Sequence, residues 1–173
     1  EVRECVAAHG LSVGVAAAAG SSRAQCLAAG LEYLERGAIS PQHVLVHDVR
    51  RPLVSAGMCR RVSAELGIGG IAVMPMLAVT DSIKAVDASG AVTRTLDRSA
   101  LRSVQFPRGF AIDYLAGLLT QCTSAEFDEL EETVRAGATI TVVDGEADAF
   151  VAELPRDTAF VEAIIACRPA DDS

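Results

Sequence analysis

An α/β fold is what this sequence predicts: a mostly parallel sheet with helices on both faces and a β-arm projecting from it. Three observations carry that expectation. Val44-Leu45-Val46 is a continuous apolar run that breaks abruptly into His47-Asp48-Val49-Arg50-Arg51-Pro52; strands buried on both faces of a parallel sheet are written this way, and ligands gather beyond their carboxyl ends. Strand-like apolar runs alternate with stretches of helical spacing from Leu11 onward, the rhythm of a parallel sheet clothed in helices. Finally, Ser82–Val86 and Ala91–Thr95 alternate apolar and polar residues around Asp87-Ala88-Ser89-Gly90, a hairpin signal.

Taken in order, Glu1–His9 reads as the tail of a helix ending at Gly10, and Leu11–Ala17 as a short strand. Gly20-Ser21-Ser22-Arg23 is a turn. Gln25–Arg36 places Leu27, Leu31 and Leu34 at helical spacing and stops at Gly37. The strand Val44–Val46 follows, then a helix Ser55–Leu66 with Ser55 as N-cap and Gly67 as stop. Gly70–Pro75 is a further buried strand. The hairpin needs a surface to lie on, in its own domain or in a partner subunit, because a two-stranded ribbon is marginal alone. Helical spacing returns at Ala111–Thr120 and Ala125–Ala136, Thr139–Val143 is a strand, and Asp157–Cys167 is a closing helix introduced by Pro155. No repeat or low-complexity linker interrupts the chain, so residues 1–173 read as one domain with the arm at 80–104. An α/β domain rarely opens on half a unit, and a further N-terminal portion is expected ahead of Glu1.

Half of the 173 residues are hydrophobic, enough for a sizeable core, and the net charge is −8 with a pI near 4.8. That acidity argues against nucleic-acid binding as the main activity, while leaving room for nucleotides where a few arginines converge. Lys84 is the sole lysine. No apolar run approaches the ~20 residues of a membrane span, and no secretory leader is visible. Cys5, Cys26, Cys59, Cys122 and Cys167 show no paired spacing and read as reduced, core-filling residues of a cytoplasmic protein. At the end of the Val44–Val46 strand, Asp48 has the chemistry to hold a divalent cation and Arg51 to clamp a phosphate. A surface turn closed by a solvated ion pair fits the same residue types.

Several segments together resemble the cytidylyltransferases that make 4-diphosphocytidyl-2-C-methyl-erythritol in the non-mevalonate isoprenoid pathway. Gly20-Ser21-Ser22-Arg23 with Cys26 and Gly30-Leu31 resembles that family's glycine turn, arginine, serine and Gly-Leu helix. His47-Asp48-Val49-Arg50-Arg51-Pro52 is similar to its His-Asp-Ala-Ala-Arg-Pro, and Val79-Thr80-Asp81-Ser82-Ile83-Lys84 to its Val-x-Asp-Thr-Ile-Lys. Leu96-Asp97-Arg98-Ser99 and Val104-Gln105-Phe106-Pro107-Arg108-Gly109-Phe110 resemble its Asp-Arg segment and Gln-Thr-Pro-Gln-Gly-Phe. Ala18-Ala19-Gly20-Ser21-Ser22-Arg23 mimics a nucleotidyltransferase phosphate loop, but lies too close to Asp48; that loop is expected in the preceding N-terminal portion.

The resemblance implies a Rossmann-like three-layer nucleotidyltransferase fold. It also implies transfer of CMP from CTP to 2-C-methyl-D-erythritol 4-phosphate with release of pyrophosphate, assisted by Mg²⁺, in a homodimer joined through the β-arm. Asp48 then corresponds to the metal-holding acid, Arg51 to the arginine on the substrate phosphate, and Ser82 and Arg98 to substrate-binding residues delivered from the partner subunit. Gly20, Arg23, Cys26 and Asp48 correspond to nucleotide-binding positions. His47 reads as structural and Lys84 as an arm-surface residue. Several positions depart from the pattern. Val151 of Ala149-Phe150-Val151 replaces a lysine that stabilises the transition state, Phe106 replaces a threonine and Arg108 a glutamine. Asp128-Glu129-Leu130-Glu131 stands in place of Asp-Asp-Ala-Ser. These departures admit an altered acceptor, or an alternative of a different class: a catalytically retired paralogue serving as a binding or regulatory subunit.

Overall fold

The structure is a computed structural model and describes residues 4, 8, 13, 14, 16–18, 20, 22–37, 40–122 and 126–168. The chain divides into two compact units, one formed by Glu1–Gln42 with Ile112–Ala138 and the other by His43–Ala111 with Thr139–Ser173.

In the first unit, helix α1 (Arg23–Glu35) begins at a capping box. Ser22 Oγ accepts from the Gln25 N–H and Gln25 Oε1 accepts from the Ser22 N–H, both at 3.2 Å, so two otherwise orphaned donors are satisfied. Two more helices belong here, α3 (Ile112–Gln121) and α4 (Glu129–Arg135). The helix expected over Ala125–Ala136 starts only at Glu129, because the Asp128 carboxylate caps it by accepting from the Leu130 and Glu131 N–H groups. The strand expected over Leu11–Ala17 is absent at Val13, Gly14, Ala16 and Ala17; glycine and alanine have little preference for a pleated surface. Leu11, Ser12 and Val15 lie outside the described residues, as does most of the Glu1–Gly10 segment.

The second unit holds a five-stranded sheet of β1 (His43–Val46), β2 (Ala72–Ala78), β5 (Arg102–Val104), β6 (Arg108–Ala111) and β7 (Thr141–Asp144). β7 pairs parallel with β2, whereas β6 lies antiparallel between β1 and β2, and β5 is antiparallel to the far end of β2. The sheet is therefore mixed. The three strands legible as apolar runs share one direction, and two strands hidden in the Arg102–Ala111 segment run against them.

Helix α2 (Ala56–Gly67) crosses one face of this sheet. Its Val62 and Leu66 pack with Val73, Leu45 and Val143, each such buried aliphatic side chain contributing about 1.5–3 kcal/mol. Ser55 caps it as expected, its Oγ accepting from the Met58 N–H at 3.0 Å. The stop is not Gly67, which stays helical, but Gly69, whose φ of +108° reverses the chain while the Gly70 N–H bonds back to the Glu65 carbonyl. Gly109 of β6 lies directly beneath α2: a Cβ there would sit 2.4 Å from Val62 Cγ1.

Strands β3 (Lys84–Val86) and β4 (Val92–Thr95) form a separate antiparallel ribbon. The Asp87 carboxylate closes its turn by accepting from the Ser89 and Ala91 N–H groups. Val86 and Val92 remain 59% and 64% exposed, as befits an arm. Helix α5 (Thr158–Cys167) closes a small core in which Val161 meets Leu53 and Ala152.

The described cysteines are not core-filling, and Cys5 lies outside the described residues. Cys26 and Cys167 are exposed, Cys59 and Cys122 partly so. Among the described residues no helix is long and apolar enough to cross a membrane.

Candidate functional site

β1 delivers its last residues into a tight turn in which the Arg51 N–H bonds to the Asp48 carbonyl at 2.9 Å. His47 Nε2 donates to the Arg51 carbonyl at 3.2 Å, a structural role that steadies the turn. Asp48 projects a carboxylate that Arg50 engages: Nη2 donates to Oδ2 at 2.6 Å and Nε to Oδ1 at 3.0 Å, while the Arg50 backbone N–H reaches Oδ1 at 3.0 Å. These bonds to Arg50 outweigh the opposing effect of burial, and the carboxyl falls from the usual 3.8 to about 2.

Arg51 turns the other way. Its Nη1 donates to the Ala149 carbonyl, its Nε is buried without a hydrogen-bond partner, and its Cζ lies 5.8 Å from the centre of the Phe106 ring. Burial, then the neighbouring Arg108 and Arg50 charges, push its pKa down against the pull of Asp48. Arg108 Cζ stands 4.5 Å from the same ring centre.

The loop after β7 completes this corner. Gln105 is almost fully buried, and its amide pairs with the backbone of Glu146: Nε2 donates to the carbonyl at 2.7 Å and Oε1 accepts from the N–H at 2.9 Å. Glu146 Oε1 accepts from Ser55 Oγ and Arg61 Nη2, both at 2.7 Å. Burial pushes its carboxyl up, but the bonds from Ser55 and Arg61 leave it below the usual range. Sequence reasoning misses Gln105, Glu146 and Arg61 as site-building residues, because their partners are distant along the chain.

Ser82 and Arg98 come together in a separate cleft at the base of the arm, about 420 Å³ and lined also by Thr95, Leu96 and Asp97. The Asp97 carboxylate caps the short turn that follows by accepting from the Ser99 N–H, and Arg98 Nη1 donates to the Thr80 carbonyl. The lining of this cleft does not include Asp48 or Arg51. Lys84 lies on the arm, its Nζ donating to Thr95 Oγ1 at 2.8 Å.

Gly20, Arg23 and Cys26 belong to the first unit. Gly20 forms a bend against which the Gln25 amide packs. Arg23 forms a two-pronged bond with Glu129, Nε to Oε2 at 2.7 Å and Nη2 to Oε1 at 2.5 Å. Cys26 is exposed on the first turn of α1.

No cluster of three or more His, Cys, Asp or Glu side chains with metal-ligand geometry occurs among the described residues. Asp48 alone still suits Mg²⁺, which commonly takes one or two carboxylates and fills its remaining positions with substrate phosphates and water. The Arg50 side chain that covers this carboxylate is 67% exposed, and so can swing aside into solvent.

Residues 7–167 match the family described as 2-C-methyl-D-erythritol 4-phosphate cytidylyltransferase. The chain is 37% identical over 148 residues to a Rhodococcus opacus protein of that description, covering 86% of this chain and 64% of the relative. A Frankia casuarinae protein of the same description is 38% identical over 131 residues, covering 75% and 49%. The chain thus spans between about half and two thirds of these relatives' lengths. Among solved structures, the Thermus thermophilus 2-C-methyl-D-erythritol 4-phosphate cytidylyltransferase superposes with a TM-score of 0.68 at 32% identity, covering 85% of this chain and 70% of that one. A 4-diphosphocytidyl-2C-methyl-D-erythritol synthase reaches a TM-score of 0.76 at 22% identity, covering 95% and 75%. That second likeness bears on the fold alone, and it supports the Rossmann-like α/β assignment.

Proposed function

The chain belongs to the 2-C-methyl-D-erythritol 4-phosphate cytidylyltransferase family, and we propose that it transfers CMP from CTP to 2-C-methyl-D-erythritol 4-phosphate, releasing pyrophosphate. The observation that carries this reading is the Asp48–Arg51 turn: one carboxylate and three arginines (Arg50, Arg51, Arg108) gathered where β1 ends. In the reaction an oxygen of the acceptor phosphate attacks the α-phosphorus of CTP. A new P–O bond forms, the α–β bridging bond breaks, and pyrophosphate leaves with its electron pair.

Arg51 binds the acceptor phosphate and orients it for attack, fixed by the Ala149 carbonyl and the Phe106 ring. Asp48 is the residue that would hold Mg²⁺, which supplies neutralisation of phosphate charge when bound. Gly20, Arg23 and Cys26 contribute to nucleotide binding. The arm crosses to a second protomer, so that Ser82 and Arg98 serve the partner's acceptor site and the working protein is a cytoplasmic homodimer. Neither the family match nor the relatives favour the retired-paralogue alternative.

The test is a radiolabelled CTP assay on the full-length protein with Mg²⁺ and methylerythritol phosphate. Stoichiometric release of pyrophosphate is expected, with loss of at least about a hundredfold in Asp48→Asn. No release at any CTP concentration, from protein shown to be folded, overturns the assignment.

A further inference from the structure

The carboxylate assigned to the metal is already engaged by a cation of this chain. We propose that Arg50 is a built-in competitor for the divalent ion at Asp48. Its guanidinium is a clasp that must open before the carboxylate takes a metal, so that metal binding and the swing of Arg50 are one event. The inference rests on the reading that Asp48 holds that ion, and goes beyond it in giving Arg50 a role. The pattern that His47-Asp48-Val49-Arg50-Arg51-Pro52 resembles carries alanine where Arg50 stands, so nothing in that pattern itself calls for the contact.

Four contacts from Arg50 fall on the two carboxylate oxygens. Oδ1 accepts from the Arg50 backbone N–H and from Nε, both at 3.0 Å. Oδ2 accepts from Nη2 at 2.6 Å and from Nε at 3.1 Å. A carboxylate offers about four lone-pair sites, and one residue here approaches both oxygens. A hard divalent ion binds through the same lone pairs, at ~2.0–2.6 Å. Ion and guanidinium therefore claim one place, and their like charges oppose joint occupancy. The Asp48 side chain is 13% exposed and that of Arg50 67%, so the acid is covered while its partner lies largely in water.

The clasp and the turn act separately. The Arg50 N–H belongs to the backbone of the turn that the Arg51 N–H closes on the Asp48 carbonyl at 2.9 Å. That N–H stays on Oδ1 whether the side chain is in or out. Both Oδ2 contacts with Arg50 come from the side chain, so opening the clasp bares Oδ2 and leaves the carboxylate oriented. An ion pair with one partner in water is held weakly, and a divalent ion brings twice the charge against it. The clasp thus sets a threshold for the metal and does not exclude it.

The test follows the metal directly by NMR of the full-length protein, titrated with Mg²⁺ at constant ionic strength, without CTP and again with it. The Asp48 carboxyl carbon reports the ion, and the Arg50 Nε–H reports the clasp. In the parent both signals should move with one midpoint, the Arg50 signal ending at the position of a solvated arginine. In Arg50→Ala the Asp48 midpoint should fall about fivefold, the upper end for an exposed ion pair. In Asp48→Asn the Arg50 signal should no longer respond to Mg²⁺. An Asp48 response with the Arg50 Nε–H unmoved, or equal midpoints in the parent and Arg50→Ala, overturns the inference and leaves Asp48 as the metal-holding acid. No Asp48 response in either protein, with or without CTP, removes the metal from Asp48 and the inference with it.

Discussion

The Asp48 carboxyl owes its low pKa chiefly to the Arg50 side chain, which contacts both of its oxygens. Its folded value of about 2 lies below the usual 3.8. The interaction therefore stabilises the fold above about pH 4, and that contribution is lost as the pH falls from about 4 towards 2. In Arg50→Gln the Asp48 carboxyl should titrate nearer 3.8, as read by carbon-13 NMR of the side-chain carboxyl; a value still near 2 would mean that the turn's backbone alone holds it there. A second pair bears on stability. Glu129 is fully buried and its partner Arg23 is 36% exposed. Replacing Arg23 by alanine removes the two-pronged partner of a buried carboxylate, and should cost about 3 kcal/mol in chemical denaturation, at the low end for a broken buried pair because the arginine is partly solvated. Arg23→Met together with Glu129→Leu should recover most of that loss. An undiminished stability in the single variant would show that Glu129 keeps adequate partners without Arg23.

At the scale of elements, the hairpin and helix α2 show what local sequence can specify. The ribbon forms where expected, because Asp87 and Gly90 build its turn from residues close in sequence. Helix α2 is capped by Ser55 as expected, since a cap is an interaction between residues three apart. Choosing among Gly67, Gly69 and Gly70 as its end depends on how the following strand enters the sheet, which no local pattern states. β6 escapes a local reading for a similar reason. Arg108-Gly109-Phe110-Ala111 has neither alternation nor a continuous apolar run, and it is a strand because β1 and β2 both offer it hydrogen bonds. The site divides the same way. Asp48 and Arg51 are legible because they directly follow a readable strand, whereas the Gln105–Glu146 pairing joins residues 41 apart. Two predictions belong to this scale. Gly109→Val would drive a branched side chain into Val62 and Leu66, and should destabilise the protein by about 1–3 kcal/mol or more in chemical denaturation. Deleting Ile83–Thr95 removes an arm with exposed Val86 and Val92; on the proposed arm exchange it yields a monomer in sedimentation, and an unchanged dimer mass would refute that exchange.

For the whole molecule, the question is where an acidic chain finds the positive charge that the proposed phosphoryl chemistry requires. The net charge is −8 and Lys84, the only lysine, lies on the arm bonded to Thr95. The second unit answers by concentrating Arg50, Arg51 and Arg108 at the end of β1, while Val151 stands where the resemblance to the family's pattern implies a transition-state lysine. That residue is 39% exposed and lies two positions after Ala149, whose carbonyl holds Arg51. A lysine introduced there would not have to be buried, so Val151→Lys should leave stability within about 0.5 kcal/mol of the parent. Its ammonium would enter the corner proposed to bind phosphate, and charge aimed at the transition state raises kcat rather than merely lowering KM. The expected gain is about tenfold or more in kcat, within the range that a single transition-state donor supplies, with the KM for CTP changed little. If kcat stays level while the parent turns over normally, then the arginines beside Phe106 already meet the charge demand, and the missing lysine marks a redistribution of positive charge within the site.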